Sequence, residues 1–166
     1  MKKVDIYTDG ACSFNPGPGG WAAILIYKKN QKELSGGNEL TTNNKMELQG
    51  VIEALKSLKE PCEVFLHSDS AYIVNAFENG WVTSWQNNGW RTSDKKEVKN
   101  VEQWQELVAL CNTHKVKFVK VKGHADDALN NRCDALARAE VEKLLAKMPK
   151  PQIVDPQTPT PDEPKD

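Results

Sequence analysis

The fold is decided by residues 3–29, KVDIYTDGACSFNPGPGGWAAILIYKK, in which two strand patterns flank a run rich in glycine and proline. The segment KVDIYTD alternates apolar and polar residues, and GWAAILIYKK is an apolar run typical of a strand. A polar turn, KNQK, then leads into ELSGGNEL. The first 40 residues therefore predict three strands in a hairpin meander.

After this meander the hydrophobic period becomes helical. Apolar residues at helical spacing run from Leu48 to Leu58, behind the cap-rich TTNN, and Pro61 ends the segment. The strand CEVFLHSD, a short helix ending at Gly80, a helix over 101–111, the strand KVKFVKVKG and a helix from LNNRCDALAR onwards follow. The order βββαβααβα predicts an α/β fold with a five-stranded mixed sheet and helices on its faces.

The composition indicates one folded domain of about 1–148. The last stretch, 149–166, holds six of the nine prolines and four acids, and its composition is typical of a disordered tail. A net charge of -1 argues against a bulk positive field for nucleic acid. The four cysteines form no CxxC pair and indicate reduced thiols. We expect a cytoplasmic monomer without a membrane span, a signal peptide or an obligatory protein partner.

Four acids lie where a sheet would bring them together. Two follow strands and two lie on helices beside the apolar stripe: Asp9, Asp69, Glu47 and Asp134. Each also has an ordinary structural interpretation. Asp9 could begin a turn, and Asp69 could take part in a helix N-cap. Glu47 could form a capping box with Asn44, and Asp134 a surface pair with Arg138. Together at one sheet edge, however, they could not all stay ionised without a cation. Oxygen ligands favour Mg²⁺ or Mn²⁺, and such a cluster suits phosphodiester displacement by two metal ions.

Five blocks in order resemble the bacterial type 1 ribonuclease H family over about 1–140. They are YTDGACSFNPGPGGWAAIL, TTNNKMELQGVIEAL, HSDSAYIVNAF, GWRTSDKKEVKNVEQWQEL and VKGHADDALNNRCDALAR. The resemblance implies a ribonuclease H-like fold and a catalytic domain over 1–148. It also implies an endonuclease that hydrolyses the RNA strand of RNA–DNA hybrids. That enzyme uses two Mg²⁺ ions, with Mn²⁺ as a substitute, and leaves 5′-phosphate and 3′-hydroxyl ends.

The resemblance also assigns roles to residues. The four acids become metal ligands, with Asp9 bridging both ions, and His124 becomes a loop residue that assists proton transfer or product release. Contacts to the RNA strand fall on Cys12, Asn15, Asn43 and Asn44. Thr42 and Asn100 are expected to hold a phosphate of the DNA strand. Cys12 has no adjacent basic residue to lower the pKa of its thiol, so it is not expected to be a nucleophile.

The segment 80–100 is the expected substrate-binding protrusion. It interleaves tryptophans, among them Trp81 and Trp85, with lysines and an arginine, a composition suited to nucleic acid. Some of these tryptophans are equally expected in the core. The stretch Gln86–Asn88 is neutral where relatives are often basic, which predicts weaker binding and a shallower salt dependence. Ala71 stands where a longer polar side chain is usual, and two aspartates follow Ala125.

Three other functions compete with this hypothesis. A transposase, integrase or junction resolvase would share the acids and the metals, but the chain shows no DNA-binding extension. A non-catalytic hybrid-binding module would be expected to have lost at least one acid. A nucleotide-binding loop is not indicated, because NPGPGG leads into a strand and phosphate-binding loops open a helix.

Overall fold

The three strands predicted at the start of the chain form an antiparallel meander. The computed structural model describes residues 1–121 and 127–148. Its first strands are β1 (Lys2–Cys12), β2 (Gly17–Tyr27) and β3 (Asn30–Thr41). Along β2, Ala23 and Leu25 face one core cluster, whereas Ala22 and Ile24 face another. Both faces of β2 are therefore covered, which explains its continuous apolar run.

The remaining elements complete a mixed sheet in the order β3-β2-β1-β4-β5. The two further strands are β4 (Cys62–Ser68) and β5 (Lys115–Lys120). The helices are α1 (Asn43–Lys56), α2 (Ala71–Glu78), α3 (Trp81–Asn87), α4 (Val101–Thr113) and α5 (Ala128–Lys147). β4 runs parallel to both β1 and β5. The carboxyl ends of these three strands consequently lie at the same end of the sheet.

Two clusters of apolar side chains lie on opposite faces of the sheet. The larger packs α1, α2 and α4 against the strands and contains the fully buried Leu48, Leu66 and Trp104. The indole nitrogen of Trp104 donates to the hydroxyl oxygen of Tyr72 at 2.9 Å, so this large buried side chain leaves no donor unpaired. The smaller cluster packs α5 against β2 through Cys133 and other small residues.

The structure has one helix more than the sequence predicts. The short α3 follows Gly80, whose φ is 75°, and Val82 is its only buried residue. With one fully buried residue in seven, α3 has no extended helical stripe, so its sequence pattern is indistinguishable from that of a loop. Within residues 1–121 and 127–148, no helix combines the length and apolar composition needed to cross a membrane.

Candidate active site

Three carboxyl groups meet at the end of the sheet where β1 and β4 terminate. Asp9 lies near the end of β1, Asp69 directly follows β4, and Glu47 lies on α1. One carboxylate oxygen from each lies within 4.8 Å of those of the other two. Asp9 and Glu47 are each only 6% exposed, whereas Asp69 is half-buried. The structure thus brings together three of the four acids that the sequence singles out.

The approach of Glu47 depends on a glycine beside Asp9. A Cβ atom at Gly10 would lie 2.5 Å from the backbone nitrogen of Glu47 and 2.7 Å from the carbonyl carbon of Met46. Any larger residue would therefore push α1 away from β1. The amide of Gly10 also donates to Oδ1 of Asp9 at 2.9 Å. Gly10 thus both admits the helix and orients the first carboxylate.

Asp134 lies on α5 at the edge of this cluster. Its Oδ2 accepts from Arg138 at 2.9 Å, the helix-surface pair that the i, i+4 spacing allows. Its carboxyl also acts on Asp9, through charge repulsion and a side-chain hydrogen bond that both raise the pKa of Asp9. It is absent from the group of three within 4.8 Å. Asp134 therefore borders the site while it also forms the surface pair with Arg138.

Burial and repulsion by neighbouring acids raise the pKa values of Asp9 and Glu47. The pKa of Asp9 is raised to about 7, chiefly by burial and then by the charge of Asp69, while the Gly10 amide opposes the shift. The pKa of Glu47 is raised well above its ordinary value, again chiefly by burial and then by Asp9 and Asp69. Oε2 of Glu47 is buried and has no hydrogen-bond partner among the described residues. Negative charge therefore exceeds positive charge among the described residues of the cluster.

Among the described residues a lysine also reaches this cluster, and the sequence pattern did not single it out. Lys120, the last residue of β5, donates from Nζ to the backbone oxygen of Asp69 at 2.7 Å, and its charge lowers the pKa of Glu47. In the sequence it is one of several lysines in KVKFVKVKG. Only its register, opposite Ser68 at the end of β4, distinguishes it from Lys117.

The expected contacts to an RNA strand border the acids on the side of the β1–β2 loop. The amide of Asn43 donates to Oδ1 of Asn15 at 2.9 Å, which joins this loop to the start of α1. Asn43 and Asn44 are exposed. The Cys12 thiol contacts the backbone oxygen of Thr41 at 3.3 Å, and burial raises its pKa, as expected for a cysteine that is not a nucleophile. These side chains are available beside the cluster.

The helix cap in TTNN differs from the sequence interpretation. Thr42, not Asn44, is the N-cap of α1, and its hydroxyl accepts from the amide of Lys45 at 3.2 Å. The capping box that would have given Glu47 a purely structural role is therefore not formed. Glu47 lies beyond the first turn of the helix, facing Asp9.

The expected contacts to a DNA strand lie on the other side of α1. Asn100 has a φ of 58°, donates from Nδ2 to the Tyr72 hydroxyl at 3.1 Å, and lines an open cavity of about 410 Å³. Thr41 and Lys45 also line this cavity. The Thr42 hydroxyl instead caps the helix. The lining combines polar groups and this lysine with two acids, Glu97 and Glu102, which oppose the binding of an anion.

The tryptophans of the 80–100 segment have different environments. Trp81 is 44% exposed at the start of α3. Trp85 is half-buried, with its ring 5.2 Å from that of Trp104 in an edge-on contact. Trp85 thus belongs partly to the core, as expected for some of these residues, and Trp81 is the more accessible to a ligand. Gln86, Asn87 and Asn88 are exposed. His124 and the 149–166 tail lie outside the described residues.

A family model and curated relatives both match this chain to RNase H. A family model for RNase H matches residues 1–142. A curated ribonuclease H from Acetivibrio thermocellus is 64% identical over 147 residues, covering 89% of this chain and 100% of the relative. A curated ribonuclease H from Caldicellulosiruptor saccharolyticus is 60% identical over 144 residues, covering 87% of this chain and 99% of the relative.

Solved structures show the same fold. LC9-RNase H1, a type 1 RNase H with the type 2 active-site motif, has a TM-score of 0.77 at 28% identity, covering 87% of this chain and 74% of that chain. LC11-RNase H1, isolated from compost by a metagenomic approach and solved in complex with an RNA/DNA hybrid, has a TM-score of 0.66 at 26% identity. That match covers 86% of this chain and 99% of the LC11 chain.

Proposed function

Since this chain belongs to the RNase H family, we propose that it hydrolyses the RNA strand of RNA–DNA hybrids at the cluster of Asp9, Glu47 and Asp69. The curated relatives it matches are named ribonuclease H, and the match covers 99–100% of their length. The observation that carries the proposal is the meeting of three carboxylates within 4.8 Å, two of them buried. Such a cluster is costly for stability and is expected where chemistry needs it.

The cluster fits a divalent cation of the oxygen-preferring kind. Its ligands are all carboxylates, Oε2 of Glu47 lacks a partner among the described residues, and burial with repulsion raises the pKa of Asp9 and Glu47. A bound cation would supply the missing positive charge. We infer that Asp9, Glu47, Asp69 and Asp134 hold two Mg²⁺ ions, for which Mn²⁺ can substitute. Held by these residues, such ions would supply activation of the attacking water and charge stabilisation of the leaving oxygen in an in-line displacement.

The protein itself orients and screens this reaction. The Gly10 amide fixes one oxygen of Asp9, and Lys120 fixes the backbone at Asp69. Because α1 and the sheet bury Glu47, its carboxylate would hold a cation with little competing water. We assign His124 the transfer of a proton to the departing group or the release of product. The products would carry 5′-phosphate and 3′-hydroxyl ends.

Selection of the hybrid would rest on groups that both donate and accept hydrogen bonds. A 2′-hydroxyl does both, and asparagine side chains can answer both roles. We propose that Cys12, Asn15, Asn43 and Asn44 contact the RNA strand from the loop beside Asp9. Asn100 and Thr42, at the cavity of about 410 Å³ and at the start of α1, would contact a phosphate of the DNA strand. Trp81 and Trp85 would contact the hybrid from α3.

The decisive experiment presents four labelled substrates, with Mg²⁺ or with EDTA. These are an RNA–DNA hybrid, duplex DNA, duplex RNA and a branched junction. We expect cutting of the hybrid's RNA strand alone, and only with Mg²⁺. Asp9→Asn should bind the hybrid without cutting it, and full activity of this variant would refute the metal assignment. Junction cleavage would identify a resolvase, and metal-independent binding without cleavage would identify a binding module.

We further propose that the protein works as a cytoplasmic monomer without an obligatory protein partner. The basis is the sequence pattern, in which the apolar stripes and runs are those expected to form the core. Light scattering after size-exclusion chromatography should give a mass near 18.6 kDa. A stable dimer mass would contradict this proposal.

A further inference from the structure

The β1–β2 loop projects a large apolar side chain into solvent at the active-site end of the sheet. Phe14 is 79% exposed, more than any other large apolar residue among those described. Leu40, 72% exposed, lies near the end of β3. Apart from the first residue of the chain, no other described large apolar residue exceeds 44% exposure. Neither side chain is explained by packing of the core.

The backbone at Phe14 is strained, and its surroundings hold it in place. Its φ of 59° lies in the left-handed region, which a bulky residue rarely adopts and a glycine adopts freely. A Cβ atom at Gly17 would lie 2.4 Å from the carbonyl oxygen of Phe14, so the loop folds tightly against this position. The amide of Ser13 donates to the Pro18 oxygen at 2.8 Å. Strain at a fixed and exposed residue suggests that the side chain itself has a use.

Phe14 and Leu40 lie on either side of a pair of asparagines. Phe14 immediately precedes Asn15, whose side chain accepts from the amide of Asn43. Leu40 immediately precedes Thr41, which pairs with Gly17 in the sheet at the far end of the same loop. The two exposed apolar residues therefore stand, along the chain, next to the segments that carry the asparagines assigned to the substrate in the function proposed above.

We propose that Phe14 and Leu40 are apolar substrate contacts that pack against sugars and base edges in the minor groove of the hybrid. This inference rests on the proposed function and deepens it. The minor groove of an A-like duplex is wide and shallow, so side chains on a protruding loop can lie in it. Apolar residues around a polar contact exclude water from it, which strengthens the hydrogen bonds of the asparagines to the 2′-hydroxyls. Phe14 thus offsets its backbone strain by binding substrate.

The test measures hybrid binding, turnover and folding stability of Phe14→Gly and Leu40→Ser. Binding is measured in the Asp9→Asn background over a range of salt concentrations, and turnover in the otherwise unaltered protein. We expect Kd and KM to rise by about three- to tenfold for each variant, with kcat unchanged. The slope of log Kd against log salt should not change, because no phosphate contact is lost. Leu145→Ser, which removes an exposed leucine of α5, is the matched control and should leave both constants unchanged.

Stability separates a substrate contact from a structural role. Because glycine suits a φ of 59°, Phe14→Gly should raise Tm by about 2–4 °C while binding weakens. A lowered Tm would make Phe14 a structural residue and overturn the inference, as would unchanged Kd and KM in both variants. If the unaltered protein neither binds nor cuts a hybrid, the proposed function fails and this inference with it. If it does both and the variants match it, only this inference fails.

Discussion

Replacing Asp9 by asparagine is expected to abolish cleavage and to stabilise the metal-free protein. Asparagine has nearly the same shape and keeps an oxygen that can accept from the Gly10 amide at 2.9 Å. It removes the charge that burial and the neighbouring acids disfavour. The substitution therefore separates the electrostatic cost of the cluster from its packing.

The size of the effect follows from the pKa of Asp9. Its value is raised from 3.8 to about 7 by folding, chiefly through burial. When folding raises the pKa of an acid, the protein loses no stability at a pH below the pKa of the unfolded state. At a pH above the pKa of the folded state, it loses the full free energy that corresponds to the shift. At about 1.4 kcal/mol per pH unit, the difference amounts to at most about 4 kcal/mol above pH 7. Since water can enter beside the half-buried Asp69, we expect about half of this, about 2 kcal/mol.

Urea and thermal unfolding in EDTA would measure this gain. At pH 8 the Tm of Asp9→Asn should exceed that of the unaltered protein by about 4–8 °C, and the difference should vanish near pH 4. Mg²⁺ should raise the Tm of the unaltered protein more than that of the variant, because it binds the folded state through the missing ligand. Asp94→Asn, at an exposed acid of the 88–100 segment, is the control and should show no such pH dependence. A difference that is constant from pH 4 to pH 8, or a loss of stability at pH 8, would refute the reasoning.

Three further changes test other parts of the structure. Gly10→Ala should destabilise by about 1–3 kcal/mol and lower kcat at least about tenfold, because its Cβ would displace the backbone at Glu47. Gly89→Ala, with φ 65° and open space around it, should cost about 1 kcal/mol and leave kcat unchanged; equal kcat values for the two would contradict this role of Gly10. Lysines at 86–88 should tighten hybrid binding and steepen its salt dependence in a filter-binding assay, and an unaltered slope would exclude a phosphate contact there. Truncation before Pro149 should preserve hybrid cleavage, and a loss of activity would assign the tail a role.

Much of the sheet could be predicted because its strands differ in pattern from its helices. Apolar alternation and continuous runs identified all five strands, and the helical stripe of Leu48 to Leu58 identified α1. The short α3 could not be predicted, because it buries Val82 alone. The correct N-cap depended on tertiary pairing: Thr41 still pairs with Gly17, so Thr42 is the first residue free to cap. Either asparagine of TTNN would have served on local preference.

The site was only partly predictable from the sequence. Asp9, near the end of β1, and Asp69, directly after the parallel β4, lie at one end of the sheet, since ligands gather outside the carboxyl ends of strands. No local pattern says how near a helix comes to that end. The contribution of Lys120 likewise depends on its register opposite Ser68, which alternation of lysines and apolar residues does not reveal. For the site, the distances between the elements could not be predicted from the sequence.

Those distances are set by two glycines on neighbouring strands that admit a helix to each face of the sheet. Gly10 of β1 lets α1 approach one face at Glu47, and a Cβ atom at Gly20 of β2 would lie 2.3 Å from the carbonyl oxygen of Ala137 on α5. The two glycines are neighbours in the sheet, because Gly20 pairs with Ala11. Helices α1 and α5 thus approach opposite faces of the sheet at neighbouring positions. Glu47 of α1 and Asp134 of α5 are consequently brought near Asp9. The glycines of the first two strands therefore determine that carboxylates from opposite faces of the sheet converge on Asp9.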